Sequence, residues 1–250
     1  MRFLFLIGFI LLGYSSKAQL SAMKGKSSYN YWINLPADSI LNPTDEGSKP
    51  PILIFLHGRS LSGTDLNKVK RYGVISEIEK GRQIPAIVIA PQVKSGSAWS
   101  PDKLLILLQD IQSQYETDTN RVYVCGMSMG GYGTLHFIGK HPDKLTAGVA
   151  LCGGGKSSDA CNLSKVPLWI QHGTADKPVP VSESRKIVKA IKACDGSNLI
   201  YKEIAGASHG AMEREFRKND MYDWLFSKLK EDVLIEEETE SELEENDSDE

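Results

Sequence analysis

Arg121-Val122-Tyr123-Val124-Cys125-Gly126-Met127-Ser128-Met129-Gly130-Gly131-Tyr132-Gly133 decides how the rest of the chain is read. Val122 to Cys125 is a short β-branched and aromatic run, the composition of a buried strand. It leads directly into Gly-x-Ser-x-Gly, and a helical pattern begins at Met129. Strand, Gly-x-Ser-x-Gly and helix together make the pattern of a nucleophile elbow. The turn brings backbone very close to backbone, and a Cβ at 126 or 130 would collide with the adjoining strand or helix. The residue between them is held in a strained conformation, its hydroxyl raised at a helix N-terminus that favours developing negative charge. An incidental serine in a Gly-rich turn is the competing account. The residues downstream weigh against it.

Outward from this stretch, apolar runs alternate with helical patterns. Strands are predicted at 29–35, near the sheet edge, then at 52–56, at 86–90 closed by Pro91, at 147–151, at 166–171 and at 199–204. The continuous apolar run Ile52 to Leu56 suits a strand covered on both faces. Helices are predicted at 65–80, 101–115, from Met129 to about His141, at 182–193 and at 214–229, with a loop at 42–51. Alternating strands and helices with short links predict a mainly parallel sheet with helices on both faces. Chemistry in such sheets gathers at the carboxyl ends of the strands.

The two ends of the chain stand apart. Residues 1–18 carry Arg2, the apolar run Phe3 to Leu12 and Ser16-Lys17-Ala18, the pattern of an export signal cut before Gln19. The run is too short to span a bilayer. Residues 231–250 hold twelve acidic and no basic residues and read as a solvated, disordered tail. The body, 19–230, keeps 27 basic and 20 acidic residues. No basic cluster is interleaved with aromatics, so nucleic acid is a poor partner. Export implies a secreted or periplasmic protein in which disulfides are permitted. Cys125, at the end of a core strand, reads as a buried thiol. A bridge among Cys152, Cys161 and Cys194 is left open, since four cysteines allow three complete pairings. No spacing points to zinc or another metal, and none to a cofactor.

Three predicted strand ends carry chemistry: Ser128, Asp176 and His209, each on a Gly-containing loop. A serine hydroxyl is a weak nucleophile until a base takes its proton. An imidazole does this near neutral pH, and a carboxylate fixes its tautomer. Ser, then Asp, then His is the chain order of α/β-hydrolase triads. Asp159 and Asp195 compete for the acid but lie in less defined loops. Of the other histidines, His57 reads as a loop support and His172 as a brace for the acid loop. His136 falls mid-helix and His141 at a helix end, where its charge suits the dipole. Two backbone N–H groups have to face the tetrahedral oxygen. Met129, directly after the serine, supplies one, and Arg59, after the Gly58 turn, supplies the other.

Gly126-Met-Ser-Met-Gly-Gly-Tyr-Gly, Leu151-Cys-Gly-Gly-Gly, His172-Gly-Thr-Ala-Asp and Ser208-His209-Gly resemble the α/β-hydrolase esterases over residues 28–229. Within that superfamily the chain is similar to small secreted carboxylesterases, among them feruloyl and acetyl-xylan esterases, polyhydroxybutyrate-depolymerase-like proteins and phospholipase/carboxylesterases. The resemblance implies Ser128 as nucleophile, Asp176 and His209 as its partners, and Arg59 and Met129 as oxyanion donors. It also implies that Trp99 lines the acyl or sugar site; a core tryptophan is the alternative. The chain departs from many relatives in having Gly210-Ala211-Met212, with no aromatic, after the histidine. About fifteen residues separate the strand ending at Leu151 from the next. No apolar lid helix fits there, so an open cleft for a soluble or carbohydrate-borne ester is expected. A prolyl-oligopeptidase-like peptidase and a non-catalytic binding protein on the same scaffold are the alternatives.

Overall fold

A run without polar alternation has to be covered on both faces, and β3 (Ile52–Leu56) is, with all five residues buried. In the computed structural model, which describes residues 19–25, 29–37, 49–194 and 196–230, β3 lies inside an eight-stranded sheet. The expected export signal and acidic tail, most of the 42–51 loop and Asp195 lie outside the described residues.

The strands are β1 (Gln19–Lys24), β2 (Asn30–Leu35), β3, β4 (Ile87–Gln92), β5 (Val122–Met127), β6 (Ala147–Leu151), β7 (Leu168–Gly173) and β8 (Leu199–Ile204), in the spatial order β1-β2-β4-β3-β5-β6-β7-β8. From β4 to β8 every pairing is parallel; β1 and β2 add an antiparallel edge. The helices are α1 (Val74–Glu79), α2 (Pro101–Gln114), α3 (Met129–Lys140), α4 (Ala160–Ser164), α5 (Ser182–Cys194) and α6 (Asp220–Phe226). Alternation along β3 divides the core. Ile52, Ile54 and Leu56 pack towards α2, α3 and α5, while Leu53 and Phe55 pack towards α1 and α6. The chain winds one way from β3 to β4 and the other way from β5 onward. The switch point therefore falls between β3 and β5, where such sheets open a crevice. Among the described residues no helix is long and apolar enough to cross a membrane.

Several predicted elements are corrected. The strand over 29–35 lies near the sheet edge as expected, but an additional strand, β1, pairs along its whole length and forms the edge. Pro91 does not close β4: pairing with β3 ends at Ile89, so only β2 remains alongside the proline that lacks an N–H. The helix expected over 65–80 is a 3-10 segment, Leu66–Arg71, then a break and α1. Gly73 causes the break. Its φ is +81°, and a Cβ there would overlap the Phe55 ring. The helix expected over 214–229 is likewise split into a 3-10 segment, Gly210–Arg217, and α6. Arg82 enters at the split, donating to the Arg217 carbonyl and to Asn219 Oδ1. β7 starts and ends two residues later than predicted. The stretch considered for a lid holds a 3-10 turn, Ser157–Asp159, and the five-residue α4, tied by a Cys161–Cys194 disulfide to the end of α5. Closing a loop of that 33-residue separation stabilises the fold by about 3–4 kcal/mol on the chain-entropy account. Cys125 and Cys152 are buried free thiols.

Candidate active site

Ser128 has φ +61° and ψ −123°, a backbone region that side chains other than glycine rarely enter. The surrounding backbone holds it there. The Ser128 N–H donates to the Leu151 carbonyl at 2.8 Å, and its own carbonyl accepts from Tyr132 N at 3.0 Å. A Cβ on Gly130 would overlap the Leu56 carbonyl, and one on Gly126 would lie 2.7 Å from the same oxygen. α3 can thus cross directly over β3 and β5 only because both positions are glycine. Met129 opens α3 and Arg59 opens a short 3-10 turn, so neither N–H has an acceptor within its own helix. Gly58, just before Arg59, lies so close to the serine that an added Cβ would stand 3.4 Å from Ser128 Cβ.

Asp176 follows β7 and His209 follows β8. His209 Nδ1 donates to Asp176 Oδ2 at 2.6 Å, and Asp176 Oδ1 accepts from Val179 N at 2.9 Å. Burial pushes the Asp176 carboxyl up, but the Val179 amide, His209 and the Cys152 thiol together outweigh it and hold it below the usual range. With Nδ1 committed to Asp176, the other nitrogen of a neutral His209 carries the lone pair. Ser128 and His209 line one cleft of about 670 Å³ together with Gly58, Arg59, Trp99 and Met129. The Ser128 hydroxyl has no hydrogen-bond partner among the described residues. In unliganded sites such contacts are commonly loose and tighten around substrate. An alcohol, an imidazole backed by a buried carboxylate, and two amides without an acceptor in their own helices around one cleft are the parts that acyl transfer requires.

Trp99 is core and cleft wall at once. It is 5% exposed, its Nε1 donates to the His57 carbonyl at 3.1 Å, and its ring meets Tyr29 and His57 edge to face. Gly133 of α3 lies against it with no room for a Cβ. His57 supports this loop as a neutral ring: Nδ1 donates to the Gly58 carbonyl at 2.7 Å and Nε2 accepts from Val93 N at 3.2 Å. Burial lowers its pKa to about 4. The unfolded chain takes up that proton near pH 6.5, before the folded chain does, so stability falls as pH drops from about 6.5 to about 4 and no further below. Urea unfolding is expected to show about 3 kcal/mol lost over this window. In His57→Asn, less stable at neutral pH, this contribution to the acid slope is expected to vanish.

A model of the Dienelactone hydrolase family matches residues 78–226, more than half of the chain. The chain belongs to the dienelactone hydrolase family.

This family member is similar to a bifunctional acetylxylan esterase/xylanase, XynS20E, of Neocallimastix patriciarum, at 27% identity over 142 residues. Those residues are 54% of this chain and 20% of the fungal protein, so the chain spans a small part of that relative. Among solved structures it is similar to a thermostable esterase, with TM-score 0.71 and 25% identity, over 85% of this chain and 63% of the esterase. It also matches a feruloyl esterase module from Clostridium thermocellum, complexed with sinapinate, with TM-score 0.59 and 16% identity, over 84% of this chain and 87% of the module. That last likeness is one of fold. The dienelactone hydrolase match and the mostly parallel sheet agree with the resemblance to α/β-hydrolase esterases.

In this dienelactone hydrolase family chain the cleft also takes in side chains that sequence reasoning assigned elsewhere or passed over. Tyr132 and His136 follow Ser128 at helical spacing and share its face of α3, a signal that was present in the sequence. The Tyr132 hydroxyl donates to Glu183 Oε2 at 3.0 Å, and burial first, then Glu183, pushes its pKa up to about 12. His136 is lowered by burial and by Lys156. Tyr72 and Glu213 reach the cleft from the two split helices. The break before Gly73 leaves Tyr72 extended, and its hydroxyl accepts from Gly58 N at 3.0 Å. His141 caps α3 and pairs with Asp102 at 3.2 Å, while Asp159 lies against Gly139 of α3, away from the cleft.

Proposed function

We propose that the chain is a serine ester hydrolase acting through an acyl-enzyme. Ser128 attacks the ester carbonyl while His209 takes its proton. Asp176 fixes the tautomer of His209 and stabilises the imidazolium. The amides of Met129 and Arg59 receive the oxyanion. His209 then protonates the departing alcohol, and water repeats the sequence on the acyl-enzyme. The observation that carries this reading is the 2.6 Å bond from His209 Nδ1 to Asp176 Oδ2 beside a strained serine in the same cleft.

The substrate is a short-chain or carbohydrate-linked carboxylic ester, with the exposed edge of Trp99 as a wall for the acyl or sugar group. The open cleft and the acetylxylan esterase relative support this choice. Residues 1–18 act as an export signal, 19–230 as the catalytic body, and 231–250 as a solvated acidic tail. The Cys161–Cys194 disulfide favours an oxidising compartment, secreted or periplasmic. Turnover on p-nitrophenyl acetate, acetylated xylan and methyl ferulate, each beside a matched amide, tests the reading. Ester hydrolysis exceeding amide hydrolysis is expected on at least one pair. Amide preference would move the assignment to a peptidase, and no turnover in folded protein would move it to a binding protein.

A further inference from the structure

His172 is the last residue but one of β7, four residues before Asp176, and its side chain is fully buried. Its Nδ1 lies 2.7 Å from Ser184 Oγ, and its Nε2 lies 2.8 Å from the Val179 carbonyl oxygen and 3.3 Å from Asp176 Oδ2. Ser184 Oγ in turn lies 2.7 Å from the Gly153 carbonyl oxygen.

Counting protons around this ring leaves little freedom. A carbonyl only accepts, so the single hydroxyl proton of Ser184 goes to Gly153. Ser184 then meets His172 with a lone pair, and Nδ1 has to donate. The Val179 carbonyl also only accepts, so Nε2 has to donate too. A neutral imidazole has one N–H. Either neutral tautomer would leave two lone pairs facing each other across a hydrogen-bond distance inside the protein, where an unmet polar group is costly. Only the imidazolium meets every partner. The carboxylate of Asp176 is its counter-ion, which offsets the burial of the charge. Cys152, His172 and Asp176 also have the donor types of a cation site, with ligand atoms within 4.8 Å of one another. Both ring nitrogens of His172 are spent on acceptors, so the ring has no lone pair for an ion.

We propose that His172 is held as a buried imidazolium and is a positioning residue for Asp176, a role that rests on reading Asp176 as the partner of His209. Asp176 Oδ2 then serves two rings, His209 at 2.6 Å and His172 at 3.3 Å, while Oδ1 takes the Val179 amide. The second cation partly neutralises the carboxylate. The carboxylate is thereby held where it meets His209. The other groups facing His172 fit a positive charge. Cys152, at the end of β6, is a thiol that burial pushes up and so keeps neutral. Glu203, its register partner on β8, is held down to about 2 by Arg185 of α5 first, then by Tyr201, with His172 adding to the effect.

Two measurements test the proposal. Histidine ¹⁵N NMR of the intact, folded protein at neutral pH is expected to show both nitrogens of His172 carrying a proton. One unprotonated nitrogen at neutral pH would overturn it. In His172→Gln, kcat for p-nitrophenyl acetate is expected to fall roughly tenfold with KM little changed, because Asp176 Oδ2 loses the second ring that holds it against His209. An active variant with the parental kcat would overturn the positioning role. The NMR experiment needs no variant, so a misfolded His172→Gln leaves it decisive. A doubly protonated His172 in a chain without ester turnover would fail the hydrolase reading but not the imidazolium. A singly protonated His172 in an active enzyme would do the reverse.

Discussion

Ser128→Ala is expected to lower kcat for p-nitrophenyl acetate by about six powers of ten, leaving only what binding and the oxyanion amides supply. The reason lies in the covalent step: without the hydroxyl no acyl-enzyme forms, and the rest of the machinery has nothing to activate. The melting temperature is expected to stay close to that of the parent, because the hydroxyl has no partner to lose among the described residues. Labelling by a fluorophosphonate probe is expected to vanish together with the turnover. Labelling or turnover that persisted in the folded variant would reject Ser128 as nucleophile.

Asp176→Asn is expected to reduce kcat by about four powers of ten with a much smaller change in KM. The substitution keeps the shape but exchanges a pure acceptor for a group that also donates. Its amide can donate to His209 Nδ1, which moves the ring proton to the nitrogen that has to accept from Ser128. The imidazolium formed during turnover also loses its counter-ion. Stability changes in step. The Asp176 carboxyl is held below its ordinary value, so its contribution is present above about pH 4 and is lost as pH falls through the folded value. The variant is therefore expected to be less stable than the parent at neutral pH, by thermal melting, and to show a shallower loss in acid. A variant that kept more than about a tenth of the parental kcat would remove Asp176 from the proposed triad.

Much of the fold was legible because its signals are local. Ile52–Leu56 and Ala147–Leu151 were read at the bounds the structure has, since unbroken apolar runs leave few alternatives; Leu199–Ile204 was too, although Lys202 and Glu203 interrupt its apolar residues. The helices over 65–80 and 214–229 were misread for one kind of reason. Helical periodicity is present in both, but Phe55 requires a bare glycine at 73, and Arg82 takes the Arg217 carbonyl. Neither contact is visible within a window of ten residues. The edge strand β1 was missed because its half-exposed side chains give a weak pattern beside a segment read as an export signal. Tyr132 and His136 were readable as cleft residues from their spacing to Ser128, but each has an equally good reading as an ordinary helix residue.

The alternation of strands and helices from β2 onward, the elbow around Ser128 and the three chemical strand ends were determined by the sequence alone. They follow from backbone sterics and hydrophobic period, which act between neighbours in the chain. Tertiary structure alone decided that Asp176 meets His209 and His172 on one oxygen, that Cys161 rather than Cys152 takes Cys194, and that Tyr72 and Glu213 wall the cleft. These are contacts between residues far apart in the chain. Which of many compatible partners is met depends on how the sheet twists and its helices pack, and no local pattern carries that.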